Sequence, residues 1–275
     1  MNYRIKKNDI KYFTVNHRKD LAKKYLKESV SCSDLFEGNN IQIISKNHSV
    51  ILTYEGNNVG AVIRNVALKN VSNYFGTIIK ATIDAHYKIN RGAQHSSSAG
   101  KMVGHGFRPN RTYPATYTYA YKKDLSPNAK KIYENDGNAL GTWLLENSKF
   151  YLPSTILSYE QFKDEVNLED GEIIGAVFCT KNYEASVHRD EDRSEWAIGY
   201  VYEEGTVKDG YFFYPEYGVA IEMSSNSVWC WLPQAAHGTA KLNNTELDNR
   251  YTAVITLSER TAKSIVKKRK LNNNN

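Results

Sequence analysis

The chain has 275 residues with 41% hydrophobic and 24% charged side chains, ordinary proportions for a globular protein, and a net charge of +6. No run approaches the roughly 18 apolar residues of a membrane-spanning helix, and no apolar segment follows the basic residues 1–11, which excludes a helical span and argues against a secretory leader. Three scattered cysteines (Cys32, Cys179, Cys230) exclude a disulfide framework or a zinc cluster, so the predicted location is intracellular and reducing, nuclear in a eukaryote.

The charge is unevenly placed. Residues 1–31 carry +6 and residues 259–275 carry +5, which leaves −5 on the middle of the chain. Basic ends around an acidic body fit a polyanionic partner, or else two solvated tails.

In chain order, residues 20–29 read as a short basic helix with Leu21, Tyr25 and Leu26 on one side. Residues 41–54 hold short β-like runs. Residues 70–87 predict the best helix, because Val71, Phe75, Ile78, Ile79 and Ile83 recur at helical spacing. Residues 92–111 are rich in Gly, Ser and His and read as a loop. Tyr117, Tyr119 and Tyr121 alternate as on a sheet face.

From residue 171 the pattern changes. Short strands are expected at 171–180, 196–202, 211–214, 218–223, 227–232 and 251–257, punctuated by turn residues. Such a series predicts an antiparallel sandwich or barrel. The expected architecture is α+β in one domain over residues 1–258, with a helix-rich part (1–170) ahead of a β part (171–258). Residues 259–275 read as a basic, Asn-rich tail, disordered at its end.

Seven histidines occur, and His188 is the one followed two residues later by a carboxylate, in His188-Arg189-Asp190. Residues i and i+2 of an extended strand face the same way, so His188 and Asp190 can address one metal ion. Chance alone supplies about 0.8 such pairs in this composition, so context decides. That context is His237, after the strand at 227–232, and Arg250 at the start of the last strand. Two histidines and one carboxylate form the facial triad of non-haem Fe(II) oxygenases, which leaves positions open for a bidentate cosubstrate and O₂. A buried guanidinium nearby suits the distal carboxylate of 2-oxoglutarate. His95 and His105 have no paired carboxylate and read as structural. The bland readings are a surface histidine in a charged loop for His188, a turn residue before Gly238 for His237, and a surface salt bridge for Arg250.

This order of His-x-Asp, the run Gly-Tyr-Phe-Phe-Tyr-Pro-Glu-Tyr-Gly-Val-Ala-Ile-Glu-Met, then Val-Trp-Cys-Trp, His-Gly-Thr and Arg resembles the Fe(II)/2-oxoglutarate dioxygenases, in particular their TET/JBP branch. The resemblance covers residues 171–257; upstream, Asn90-Arg91-Gly92 is similar to an Asn-Arg-Gly element of that branch, though the triplet also reads as a helix C-terminal turn. It implies a double-stranded β-helix (jelly-roll, cupin-like) core flanked by N-terminal helices. It implies His188, Asp190 and His237 as catalytic iron ligands and Arg250 as the partner of 2-oxoglutarate, with ascorbate as the alternative cosubstrate. It further places Arg91 near the cosubstrate and Asn90 and Asp192 near the substrate. The implied reaction oxidises the 5-methyl group of 5-methylcytosine or thymine in nucleic acid, DNA ahead of RNA. A second substrate-binding histidine found after the arginine in some members has no counterpart, since no histidine follows His237. The alternatives are a dioxygenase acting on a protein side chain or small molecule, and a non-catalytic jelly-roll binding protein.

Overall fold

A computed structural model of the chain describes residues 9–38, 40–85, 98–108, 116–118, 126–128, 135–166, 168, 173–243 and 248–273. Its centre is one curled sheet of thirteen strands. The strands are β1 (Lys11–Thr14), β2 (Gln42–Ile44), β3 (Val50–Tyr54), β4 (Asn57–Arg64), β5 (Ser98–Arg108), β6 (Thr116–Thr118), β7 (Ala176–His188), β8 (Ala197–Glu204), β9 (Tyr211–Tyr214), β10 (Val219–Glu222), β11 (Ser227–Trp231), β12 (His237–Thr239) and β13 (Asn249–Thr256). They run β1-β3-β4-β11-β8-β13-β7-β12-β9-β10-β2, with β5 beside β7 and β6 beside β5.

The curl is set by β7. Its first half, Ala176 to Lys181, pairs antiparallel with β13, and its second half, from Ala185 to His188, pairs with β12. Between them Asn182 takes a left-handed backbone (φ 47°), which turns the strand out of one layer and into the other. β5 follows β7 through this bend with Gly100 at φ +82°, where an added Cβ would lie 2.0 Å from the Asn182 carbonyl oxygen. The two layers are therefore β1-β3-β4-β11-β8-β13-β7 and β7-β12-β9-β10-β2. They face each other across a core of Leu52, Val62, Ala197, Val201, Trp229 and Trp231 from the first, with Phe212, Tyr214, Val219 and Ile221 from the second. This is the double-stranded β-helix expected from the sequence.

Strand alternation explains the layering. Ala197 and Val201 of β8 face the barrel interior, while Ile198 and Tyr200 face the helices. The helix Lys69–Ala85 lays Phe75, Ile78, Ile79 and Ile83 on that outer face, joined by Leu140 and Leu144 of the helix Gly137–Tyr151 and by Tyr159 and Phe162 of the helix Leu157–Val166. The helix Lys19–Tyr25 covers the other layer, with Leu21, Ala22 and Tyr25 against Val187, Phe213 and Ala236. No helix among the described residues is long and apolar enough to cross a membrane.

Several expectations are corrected. The first helix ends at Tyr25, and a second, Cys32–Phe36, follows it under a capping box made by Ser31 and Asp34. Within the stretch read as a loop, residues 98–108 form β5. Among the described residues of the first 170, helices are accompanied by β1 to β6, which extend the sheet. The basic tail is helical from Glu259 to Asn273, with Ala262 and Ile265 buried against the outer core. The expected helix to residue 87 is described as far as Ala85, and Tyr119 and Tyr121 lie outside the described residues.

One glycine shapes the barrel interior. A Cβ on Gly199 would lie 2.3 to 2.5 Å from the six-membered ring of Trp229. Gly199→Ala is therefore expected to push that indole off the wall and lower stability by about 1–3 kcal/mol, measured by urea unfolding. An unchanged midpoint would contradict the close packing.

Candidate metal centre

The bend in β7 and the antiparallel pairing of β12 bring two distant histidines to one rung, with His188 opposite His237. Asp190 follows in the connection after β7, where its backbone N–H donates to the Pro233 carbonyl at 2.8 Å. One Asp190 oxygen, Oδ2, lies 3.6 Å from His188 Nε2 and 3.4 Å from His237 Nε2. The ligand-type atoms of all three residues fall within 4.8 Å of one another. The sequence-derived triad is thus assembled in space.

The ring nitrogens are sorted for metal binding. His188 Nδ1 is 2.7 Å from the Ser186 carbonyl and His237 Nδ1 is 2.9 Å from the Ala235 carbonyl. A carbonyl only accepts, so each Nδ1 carries a hydrogen, which leaves each Nε2, on the Asp190 side, as the nitrogen a metal ion would take. Burial works against charge on both His188 and Asp190, but their mutual pairing outweighs it. His188 is held above its usual value and Asp190 well below the usual carboxylate range. His237 is buried, with Phe212 stacked on it at 5.9 Å and Trp231 at 5.6 Å. His188 and Asp190 are partly exposed, so the centre lies at the mouth of the barrel with one open side.

A carboxylate that the sequence reading did not single out ties the ligand-bearing segments together. Glu216 Oε2 accepts from Arg189 Nη1 at 2.6 Å and from the Ala236 backbone N–H at 2.7 Å. Its Oε1 lies 3.0 Å from His17 Nε2. Arg189 also donates to the Gln234 carbonyl at 2.8 Å. One side chain therefore bonds a neighbour of His188 and Asp190 and a neighbour of His237. The available signal was an acidic residue inside the otherwise apolar Phe-Phe-Tyr-Pro-Glu-Tyr-Gly run.

Arg250 is buried at the start of β13, as its proposed role requires, but its fork is already engaged. Nε and Nη2 both lie 2.8 Å from Glu203 Oε1, Nη1 donates to the Gly210 carbonyl, and Nη2 reaches the Met223 carbonyl at 3.5 Å. Asp192 is 8% exposed and its chain pairs with Ser258. Burial, and then the charge of Asp190, push its carboxyl up to about 7. It is enclosed rather than placed on an open face. Asn90 and Arg91 lie outside the described residues. His105 is buried beneath the helices, far in sequence from the triad, and His95 is outside the described residues.

No protein-family model and no curated protein matches the chain. Among solved structures, NgTET1 in complex with 5mC DNA is similar with a TM-score of 0.55 and 11% identity, over 90% of this chain and 93% of that one. A Pseudomonas putida prolyl-4-hydroxylase has a TM-score of 0.43 and 10% identity, over 73% and 92%. A Burkholderia pseudomallei oxidoreductase of the 2OG-Fe(II) oxygenase family has a TM-score of 0.41 and 9% identity, over 90% and 98%. At these identities the first likeness speaks to the fold, and it agrees with the double-stranded β-helix described above.

Proposed function

We propose that this chain is an Fe(II)/2-oxoglutarate-dependent dioxygenase that oxidises the 5-methyl group of a pyrimidine in nucleic acid. The observation that carries the enzyme reading is the convergence of His188, Asp190 and His237 on one point, with both Nδ1 atoms bonded to backbone carbonyls, both Nε2 atoms turned to Asp190, and His188 and Asp190 partly exposed. Two imidazoles and a carboxylate on one face suit Fe(II), and they leave coordination positions for a cosubstrate. Bound there, Fe(II) and 2-oxoglutarate would supply, with O₂, the oxidising power to break a C–H bond, at the expense of oxidising 2-oxoglutarate to succinate and CO₂.

The chain's own groups divide the remaining work. The Ser186 and Ala235 carbonyls hold the two imidazoles in the ligating tautomer. Phe212 and Trp231 wall the inner side and exclude water behind His237. The indole N–H groups of Trp229 and Trp231 are buried with no hydrogen-bond partner among the described residues. Two such donors inside the barrel suit a cosubstrate that brings carboxylate or carbonyl oxygens. Arg250 is the buried cation expected to take the distal carboxylate. Asn90 and Asp192 stay proposed near the substrate, Asp192 from an enclosed position, and Arg91 stays proposed near the cosubstrate.

The nucleic-acid substrate rests on the resemblance and on the basic ends, +6 over residues 1–31 and +5 over residues 259–275. A base in a duplex reaches such a mouth only by flipping out. On this reading the partner is DNA before RNA and the location is nuclear in a eukaryote. The test is to incubate the protein with Fe(II), 2-oxoglutarate and 5-methylcytosine-containing or ordinary DNA, then digest to nucleosides. A hydroxymethylated base, absent with His188→Ala, is expected. Succinate formation without base oxidation would move the substrate to a protein side chain or small molecule. A protein that binds no Fe(II) would end the enzyme reading.

A further inference from the structure

The ion pair inside the barrel points to a second role for a residue so far unassigned. Arg250 is 5% exposed and Glu203 14%, and Glu203 Oε1 accepts from both Nε and Nη2. The carbonyls of Gly210 and Met223 take the other directions of the guanidinium. The approach on the Gly210 side is close enough that a Cβ there would lie 1.9 Å from Nη1. The carboxylate is itself held in place, because Glu203 Oε2 accepts from the Ser225 N–H at 3.2 Å and the Glu203 N–H donates to Ser225 Oγ at 3.1 Å. Glu203 Oε1 thus occupies the Nε/Nη2 edge and the Gly210 and Met223 carbonyls the Nη1/Nη2 edge, so neither bidentate edge of the guanidinium is open to a second carboxylate.

We propose that Glu203 is an internal competitor for the distal carboxylate of the cosubstrate, so that a 2-oxo dicarboxylate binds only by displacing it from Arg250. The inference rests on the dioxygenase reading and deepens it. Glu203 becomes a specificity-determining residue, which weakens the chain's grip on 2-oxo dicarboxylates and leaves 2-oxo monocarboxylates unaffected. Neutralising Glu203 frees the fork while the amide keeps the volume and an acceptor for the Ser225 N–H. Losing a charge-assisted competitor of this kind is worth about a factor of ten or more in affinity.

The experiment is calorimetric titration of Co(II)-loaded protein, which does not turn over, with 2-oxoglutarate and with 2-oxobutanoate. Glu203→Gln is expected to bind 2-oxoglutarate at least about tenfold tighter than the parent protein and 2-oxobutanoate equally well. It should also show a larger rise in Tm on adding 2-oxoglutarate. If Glu203→Gln fails to fold, Glu203→Asp, which draws the carboxylate back by one methylene, is expected to give a smaller gain in the same direction. Equal 2-oxoglutarate affinity in variant and parent, or an equal gain for both acids, overturns the proposal and leaves the dioxygenase reading intact. Binding of neither acid by any of these Co(II)-loaded proteins overturns both.

Discussion

Replacing Asp190 by alanine should lower Fe(II) or Co(II) affinity by more than about 100-fold and bring turnover to background, with the fold retained. Loss of a directly ligating carboxylate exceeds the roughly 10–100-fold effect of losing an outer partner of a metal ligand. The carboxylate is the one anionic member of the triad and lies within 3.6 Å of both Nε2 atoms. Folding should survive because the side chain is 43% exposed. Its segment is anchored by the backbone bond from Asp190 N–H to the Pro233 carbonyl. Metal titration read alongside Tm separates the two effects. An alanine variant that binds metal as the parent does would remove Asp190 from the centre and end the triad assignment. His237→Ala should lose metal equally but also stability, because that ring is buried against Phe212 and Trp231.

The second large effect is expected at Glu216. Its carboxylate spans Arg189 and the Ala236 N–H, so truncation to alanine releases the segments on both sides of the metal at once. Metal affinity should fall about 10–100-fold although no ligand is touched. The electronic spectrum of bound Co(II) should shift as the ligand geometry loosens, which a general loss of stability would not produce. Glu216→Gln, which keeps an acceptor for Ala236 but not the charge facing Arg189, should recover part of the affinity.

The same group predicts a pH dependence. Burial raises the Glu216 carboxyl, but the Ala236 amide, His17 and Arg189 outweigh it and leave it below its usual value. Its ionisation therefore contributes stability that is complete above the ordinary glutamate pKa of about 4.3. That contribution disappears as pH falls through the lower folded value. Tm measured from neutral to acid pH should fall less steeply on the acid side in Glu216→Gln than in the parent. Parallel curves would show that the network contributes nothing to folding.

The site was legible where its chemistry was local. His-x-Asp at the end of a strand carries its own geometry, because alternate residues share a face whatever the rest of the chain does. A following histidine and arginine completed a set with few other uses. The first part of β7 and the strands β8, β9, β10, β11 and β13 were legible for a similar reason, since short apolar runs between turn residues recur at short, similar intervals. The misreadings have a common cause. β5 contains Gly100, Gly104 and Gly106 and resembles a loop in composition, but Gly100 and Gly106 have positive φ and lie where any Cβ would strike the backbone of residues 175 or 182. The helix Gly137–Tyr151 hides behind its glycines and asparagines, and Gly141 is small because Val177 and Ile173 pack onto it. The tail looked free because six Lys/Arg in residues 259–275 mask the single buried stripe through Ala262 and Ile265. In each case tertiary packing outweighed local propensity.

By itself the sequence determined the candidate ligand types, their order along the chain and the class of fold that could carry them, because those depend on side-chain chemistry and on the two-residue period of a strand. Only the tertiary structure decided which distant groups meet. The turn at Asn182 sends β7 across both layers and sets His188 opposite His237. The 3₁₀ turn after β9 carries Glu216 in beneath both ligand segments. The pairing of β8 with β13 places Glu203 against Arg250 and commits a guanidinium that the sequence left free. Contacts of this kind join residues far apart in the chain, and they follow from register and curvature, which no short stretch of residues encodes.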